Sequence, residues 1–227
     1  MYIDACRLYG GLNCQVGGGS PTTKGKLHGM GCLISPCHVL TALHTLTQTE
    51  ILYEWPVVFK HDGLYRCEIT LESKEYDVTM LQTTEKLDDA DFAPPEGYPS
   101  ILPSKPFLGL SVGYIAALHL HKPDGEDTRH TCFSQAFVSM LLREGGEGER
   151  YALSGGIMQP GFSGGPVFTA EGKLVGIVVK SIQFAADAKH PTLSVYTLPV
   201  MTSLYPLKDR IEQHLVKNQP DNWHGAA

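Results

Sequence analysis

Three side chains could together make a hydroxyl nucleophilic: His44, Asp77 and Ser163, in that chain order. Ser163 lies in PGFSGGPVF, Pro160 to Phe168, where three glycines and two prolines surround one serine and an apolar run follows. A serine hydroxyl is a poor nucleophile at neutral pH. It needs a base to take its proton, and that base needs an orienting partner. The oxyanion that develops needs backbone N–H donors aimed at it. Gly161, Gly164 and Gly165 permit a tight turn that would present such donors. The same G-x-S-G-G string also fits an ordinary turn between strands, so the motif alone leaves both readings open.

The base would be one of ten histidines. His44 ends the strand-like HVLTAL and precedes a polar loop, so a rigid strand end would hold it in a cleft. His38 opens that strand after a Ser-Pro turn and is expected to be solvated. The orienting acid would be Asp77 in EYDVTMLQ, at the head of an alternating apolar pattern. An isolated aspartate there usually caps a turn; its weight comes from the combination with His44 and Ser163.

The elements that must position these residues read as strands. Short apolar runs rich in β-branched and aromatic residues recur between turn residues, among them GCLIS, HVLTAL, YRCEITL, DVTMLQ, VGYIAALHL, CFSQAFVSMLL and KLVGIVV. This is an all-β pattern of the sandwich or barrel kind. LKDRIEQHLVK near the end reads as an amphipathic helix. Proline-rich DFAPPEGYPSILPSKP cannot lie inside a paired central strand and reads as a linker. VGGGSPTTKGK and REGGEGER read as loops. The expected division is a first strand group over residues 1–95 with His44 and Asp77, a linker over 96–106, a second group over 107–200 with Ser163, and a helix with tail over 201–227. The cleft would lie between the two groups.

Composition narrows the classes. With 227 residues, 42% of them hydrophobic, the chain can build one sizeable domain or two half-domains sharing a core. The net charge is −6 and no basic cluster interrupts it, which argues against nucleic-acid or anionic-membrane partners. The apolar run LVGIVV is far too short to cross a bilayer, and MYIDACRLYGG does not read as a secretory signal. Six cysteines, Cys6, Cys14, Cys32, Cys37, Cys67 and Cys132, are expected as free thiols in a reducing cytoplasm. CLISPCH could suggest zinc, but its C-x4-C spacing is marginal and no second ligand pair follows; small buried apolar side chains are the expected role. His119 and His121 share a strand face and with His130 could hold a metal, but a solvated strand end is the expectation. The acidic run EKLDDADF lacks the glycine and terminal glutamate of a calcium loop. No metal or cofactor is expected.

Four segments together resemble one family. GMGCLISPCHVLTALHTL is similar to a glycine, strand, turn and TA-x-H block; YDVTMLQ is similar to a D-I-A-L-L block. IMQPGFSGGPVFTAEGKLVGIVV resembles a nucleophile block with its hairpin, and SVYTLPVMTSLYPLKDRIEQHL a last strand with terminal helix. In this order and spacing they resemble the chymotrypsin-fold serine peptidases, especially the single-chain HtrA-type branch, over nearly the whole chain. The resemblance implies two six-stranded antiparallel β-barrels with a C-terminal α-helix and an active site between the barrels. It implies Ser163 as nucleophile, His44 as general base and acid, Asp77 as its orienting partner, and an oxyanion hole from the N–H groups of Gly161 and Ser163. The expected activity is that of a serine endopeptidase acting on protein or peptide substrates; the alternative is a protease-fold binding module with weak or no turnover.

The resemblance also has departures. Thr45 follows His44 where secreted members place a disulfide cysteine. Phe162 stands where trypsin-like enzymes carry the aspartate that receives a freed N-terminus, so zymogen-type activation is not expected. No peptide-binding domain is expected after the terminal helix. The resemblance places the specificity pocket at Ile157 and Met158, with walls from Val179, Lys180, Ser181 and Ser194. No acid sits at its base, and Val178 replaces the histidine of glutamate-cleaving relatives. An apolar or small residue before the scissile bond is the expectation, with Lys180 reaching inward to favour an acid as the rival. The segment Leu141–Gly156 corresponds to a loop that senses ligands in HtrA-type relatives. An activating protein partner acting there is expected to order the oxyanion hole.

Overall fold

The computed structural model describes residues 13–20, 23–47, 55–60, 63–83, 97–121, 127–143, 148–158, 161–185 and 195–217. Among them, twelve strands close into two six-stranded barrels. The first contains β1 (Asn13–Ser20), β2 (Thr23–Ser35), β3 (His38–Ala42), β4 (Trp55–Lys60), β5 (Gly63–Ser73) and β6 (Val78–Thr83), in the order β1-β2-β3-β6-β5-β4. Antiparallel pairing of β1 with β4 closes it. The second contains β7 (Ser111–His121), β8 (Asp127–Leu142), β9 (Arg150–Ser154), β10 (Pro166–Phe168), β11 (Leu174–Ala185) and β12 (Val195–Ser203), in the order β10-β11-β12-β9-β8-β7. Pairing of β10 with β7 closes that one. A helical turn α1 (His44–Thr47) follows β3, and a helix α2 (Lys208–Lys217) follows a 3-10 turn at Tyr205–Leu207.

Burial explains why β11 reads as a continuous apolar run. Val175 and Val178 join the interior of the second barrel, with Val112, Tyr114, Leu153 and Phe162. Leu174, Ile177 and Val179 face the opposite way, into a core shared with Leu40 and Leu81 of the first barrel and with the terminal segment. A strand buried on both faces loses its alternation. Helix α2 lays Ile211 and, less deeply, Leu215 on the shared core, one turn and two turns beyond buried Leu207. Arg210 Nη2 donates to Glu72 O at 3.3 Å, tying the helix to the first barrel.

Three sequence expectations need correction. VGGGSPTTKGK, read as a loop, supplies paired strand on both its described sides, the end of β1 and the start of β2. Gly17 and Gly18 pair with Leu27 and Lys26 on one side and with Val57 and Pro56 on the other, so ladder bonds on two sides outweigh the freedom of glycine. β12 runs past the boundary at 200 because Thr202 and Ser203 pair with Ile177 and Gly176. His38 is 1% exposed, not solvated. Its Nδ1 lies 2.7 Å from Ser35 Oγ and 3.3 Å from Cys37 Sγ. Burial, then the nearby His214, lower its pKa to about 4. His38 folds neutral and charges more readily when unfolded, so it lends stability above pH 6.5 that is lost as pH falls toward 4. An NMR titration of the His38 ring should show no protonation between pH 8 and about 5; a midpoint near 6.5 would contradict this environment.

Cys32 and Cys37 are buried, as expected of small apolar side chains. Cys67 and Cys132 carry free thiols, and burial pushes Cys67 up to about 12. Cys6 and the side chains of Cys14, His119, His121 and His130 lie outside the described residues, as do the run EKLDDADF and residues 144–147 of REGGEGER. Among the described residues, no helix is long and apolar enough to cross a membrane.

Candidate active site

The pairing of β3 with β6 brings the first two residues together. Ala42 opposes Val78 at the end of the ladder. The chain then turns, and Leu43 N donates to Asp77 O at 3.1 Å. Asp77 Oδ1 accepts from His44 N at 2.9 Å, while Oδ2 lies 2.6 Å from His44 Nδ1. An ionised carboxylate only accepts, so Nδ1 carries the proton and Nε2 is left as the basic nitrogen. Both side chains are largely buried, 19% and 18% exposed, which fixes the imidazole and leaves one edge open. Asp77 has φ of +55° at the end of a turn over residues 74–77, where its N–H donates to Lys74 O at 3.3 Å. Aspartate is among the few non-glycine residues that adopt this region readily.

Ser163 comes from the second barrel but is built against the first. Its carbonyl accepts from Met30 N at 2.7 Å. A side chain at Gly29 would place its Cβ 2.5 Å from Thr45 Cγ2 and 2.6 Å from Ser163 O, so the residue after His44 and the Ser163 carbonyl flank the same glycine. Gly165 N donates to Phe162 O at 3.0 Å, and Gly164 N to Val178 O at 2.7 Å, which closes the turn and pins it to β11. Gly161 and Gly164 take φ of +92° and +84°, where a side chain would be strained. Among the described residues, Ser163 Oγ bonds to Val179 O at 3.5 Å and makes no hydrogen bond with His44. The N–H groups of Gly161 and Ser163 donate to none of the described residues.

Phe162 is fully buried. Its ring meets that of Tyr114 edge-on, with centroids 6.5 Å apart at 64°. Tyr114 was not singled out by the sequence, yet it anchors the approach to the Ser163 turn. Its hydroxyl donates to Ile157 O, and Ser134 Oγ accepts from Ile157 N at 3.2 Å. A Cβ at Gly156 would collide with the Tyr114 ring and hydroxyl. One hydroxyl in the apolar run VGYIAAL was the available signal, but nothing local named its partner.

The residues expected to line the pocket differ in exposure. Val179 is buried, Met158 and Lys180 are half-buried, Ser181 is exposed and Ile157 is 49% exposed. Ile157 and Met158 precede the Ser163 turn in the chain, and Val179 lies beside it through the Ser163 Oγ contact. Ser194 lies outside the described residues.

The chain matches the family described as the trypsin-like peptidase domain over residues 29–177. No curated protein matches it. Among solved structures it is similar to the Rv3671c protease of M. tuberculosis in an inactive form. The two share 16% identity, with a TM-score of 0.57 and coverage of 96% of this chain and 93% of that one. It is also similar to the apo protease domain of MamO from Magnetospirillum magneticum, at 16% identity, a TM-score of 0.55 and coverage of 93% and 97%. Likeness at this identity speaks for the fold, two barrels with a terminal helix. The family match, which runs from Gly29 beside the histidine strand through the Ser163 turn into β11, makes this chain a member of the trypsin-like peptidase domain family, with a chymotrypsin-like fold.

Proposed function

We propose that the chain is a serine endopeptidase that cleaves protein substrates through an acyl-enzyme. The observation that carries this reading is the double grip of Asp77 on His44, through Nδ1 and the backbone N–H, beside the glycine-built turn of Ser163. Ser163 Oγ attacks the scissile carbonyl carbon while its proton passes to His44 Nε2. The carbonyl π pair moves onto oxygen, facing the N–H groups of Gly161 and Ser163. Collapse expels the amine, which leaves with the proton from His44, and the acyl group stays on Ser163. Water then repeats the sequence and frees the serine. Asp77 holds the imidazole in one tautomer throughout.

The pocket is proposed to take an apolar or small side chain: Ile157 and Met158 are apolar, Val179 is buried behind the nucleophile, and no acid stands among these residues. The free thiols of Cys67 and Cys132 suit a reducing compartment, and we place the protein in the cytoplasm.

One observation favours a second reading, a chain with weak turnover until a protein partner docks. Ser163 Oγ faces Val179 O rather than His44 among the described residues. Phe162 offers no ion pair to hold the neighbouring Gly161 peptide, and the proposed docking site is Leu141–Gly156. Both readings meet in one experiment. A fluorophosphonate probe should label Ser163, and cleavage of an unfolded proteome should map to bonds after apolar or small residues. Slow cleavage with intact labelling favours the partner-dependent form. Absent labelling, or cleavage after basic residues, counts against the enzyme or its pocket respectively.

A further inference from the structure

The turn that carries Asp77 is gripped from the other barrel. Gly148 N donates to Glu75 O at 2.8 Å. The ring of Tyr76 lies against the α-carbon of buried Gly148, where a Cβ would collide with ring atoms Cγ, Cδ1 and Cε1. Gly148 does not have the positive φ that would call for glycine; what excludes a side chain is the Tyr76 ring. Glu149 anchors the gripping segment on its own side. Its carboxylate bonds Lys105 Nζ at 2.9 Å, and its carbonyl accepts from Ser203 N at 3.5 Å. Tyr76 is bonded directly to Asp77, whose φ is +55°.

We infer that Tyr76 and Gly148 are positioning residues for peptide hydrolysis: the segment entering β9 sets the Asp77 turn, and through it the orientation of His44. The inference rests on the reading of Asp77 as the orienting acid. The contact involves Cγ at the root of the ring, so the ring cannot yield by swinging its far end. Relief takes either a rotation of the whole Tyr76 ring about Cα–Cβ or a shift of the backbone at residues 76 and 148, and a shift at residue 76 carries with it the 2.6 Å contact between Asp77 Oδ2 and His44 Nδ1. A displacement of about 1 Å in such a constellation costs roughly a hundredfold in rate.

The test compares the full chain with Gly148→Ala, Tyr76→Ala, the double variant and Asp77→Asn. The readouts are fluorophosphonate inactivation kinetics, thermal denaturation, and the downfield proton resonance of His44 Nδ1–H. Gly148→Ala should lower the limiting inactivation rate by about 10- to 100-fold, leave the probe's KI unchanged and weaken the downfield signal while the fold persists. The double variant should react no more slowly than Tyr76→Ala alone, because the collision is gone. Parent-like kinetics in Gly148→Ala, or losses that multiply in the double variant, overturn the inference. Should Gly148→Ala fail to fold, the double variant decides: folding with the rate of Tyr76→Ala supports the collision, and continued unfolding rejects it. If Asp77→Asn reacts at the parent rate, the proposed triad itself falls. If Asp77→Asn is slow and Gly148→Ala is normal, this inference alone falls.

Discussion

Ser163→Ala should lower hydrolysis by about a millionfold while leaving the melting temperature nearly unchanged. The two halves of that expectation have separate causes. The rate falls because acyl transfer has no other hydroxyl at the centre of the Phe162–Gly165 turn. The fold persists because the hydroxyl carries little of it: its bond among the described residues is the 3.5 Å contact with Val179 O, worth under about 1 kcal/mol. What holds the turn is backbone, through Ser163 O to Met30 N, Gly164 N to Val178 O and Gly165 N to Phe162 O. His44→Ala added to Ser163→Ala should cost almost nothing more, because both act in one proton transfer. Steady-state kinetics and thermal melts of the single and double variants check this. Substantial residual activity in Ser163→Ala, or losses that multiply in the double variant, would remove Ser163 from the reaction.

The sequence carried the two strand groups and the terminal helix because those depend on local pattern: period-two apolar runs, prolines that break them, and one helical repeat. It carried His44, Asp77 and Ser163 as candidates because each sits at an element's edge, where the pattern changes. Contacts far apart in sequence were beyond it. His38 looked solvated from its Ser-Pro neighbourhood, and nothing local announced the packing that buries it or the approach of His214. The glycine run in β1 looked like a loop, because composition does not reveal pairing on two sides.

Asp77 illustrates the same limit at the site. An aspartate heading a strand suggested a turn cap, and it does end a turn, with φ of +55°. Its carboxylate, however, is spent on His44, 33 residues earlier in the chain. Tyr114 and Ser134, which hold both sides of the Ile157 peptide, come from strands that precede it by 43 and 23 residues. The Ile157 peptide is therefore held by residues that no motif around Ser163 contains.

The glycines of the Ser163 turn separate into two kinds, and this yields the second large effect. Backbone freedom explains Gly161, whose φ is +92° and whose missing Cβ would meet none of the described residues within 4 Å. Gly164, at +84°, has a further reason: a Cβ there would be driven into Met30 O and Thr41 Oγ1. That spot is the seam between the barrels, where Met30 N donates to Ser163 O at 2.7 Å and Thr41 Oγ1 to Met30 O at 2.6 Å. Gly161→Ala should cost the left-handed strain alone, about 1–2 kcal/mol. Gly164→Ala adds overpacking against backbone that cannot move without opening the seam, a further 1–3 kcal/mol or so. The expected fall in Tm for Gly164→Ala is on the order of 10 °C, with Gly161→Ala losing about half of that or less. Activity should fall independently of stability. Gly164→Ala displaces Ser163 relative to His44 and should cost at least about a hundredfold in kcat/KM even where the protein is fully folded. Thermal melts and kinetics well below Tm measure the two effects separately. If Gly164→Ala and Gly161→Ala lose the same stability, the seam does not constrain residue 164, and its glycine serves the turn alone.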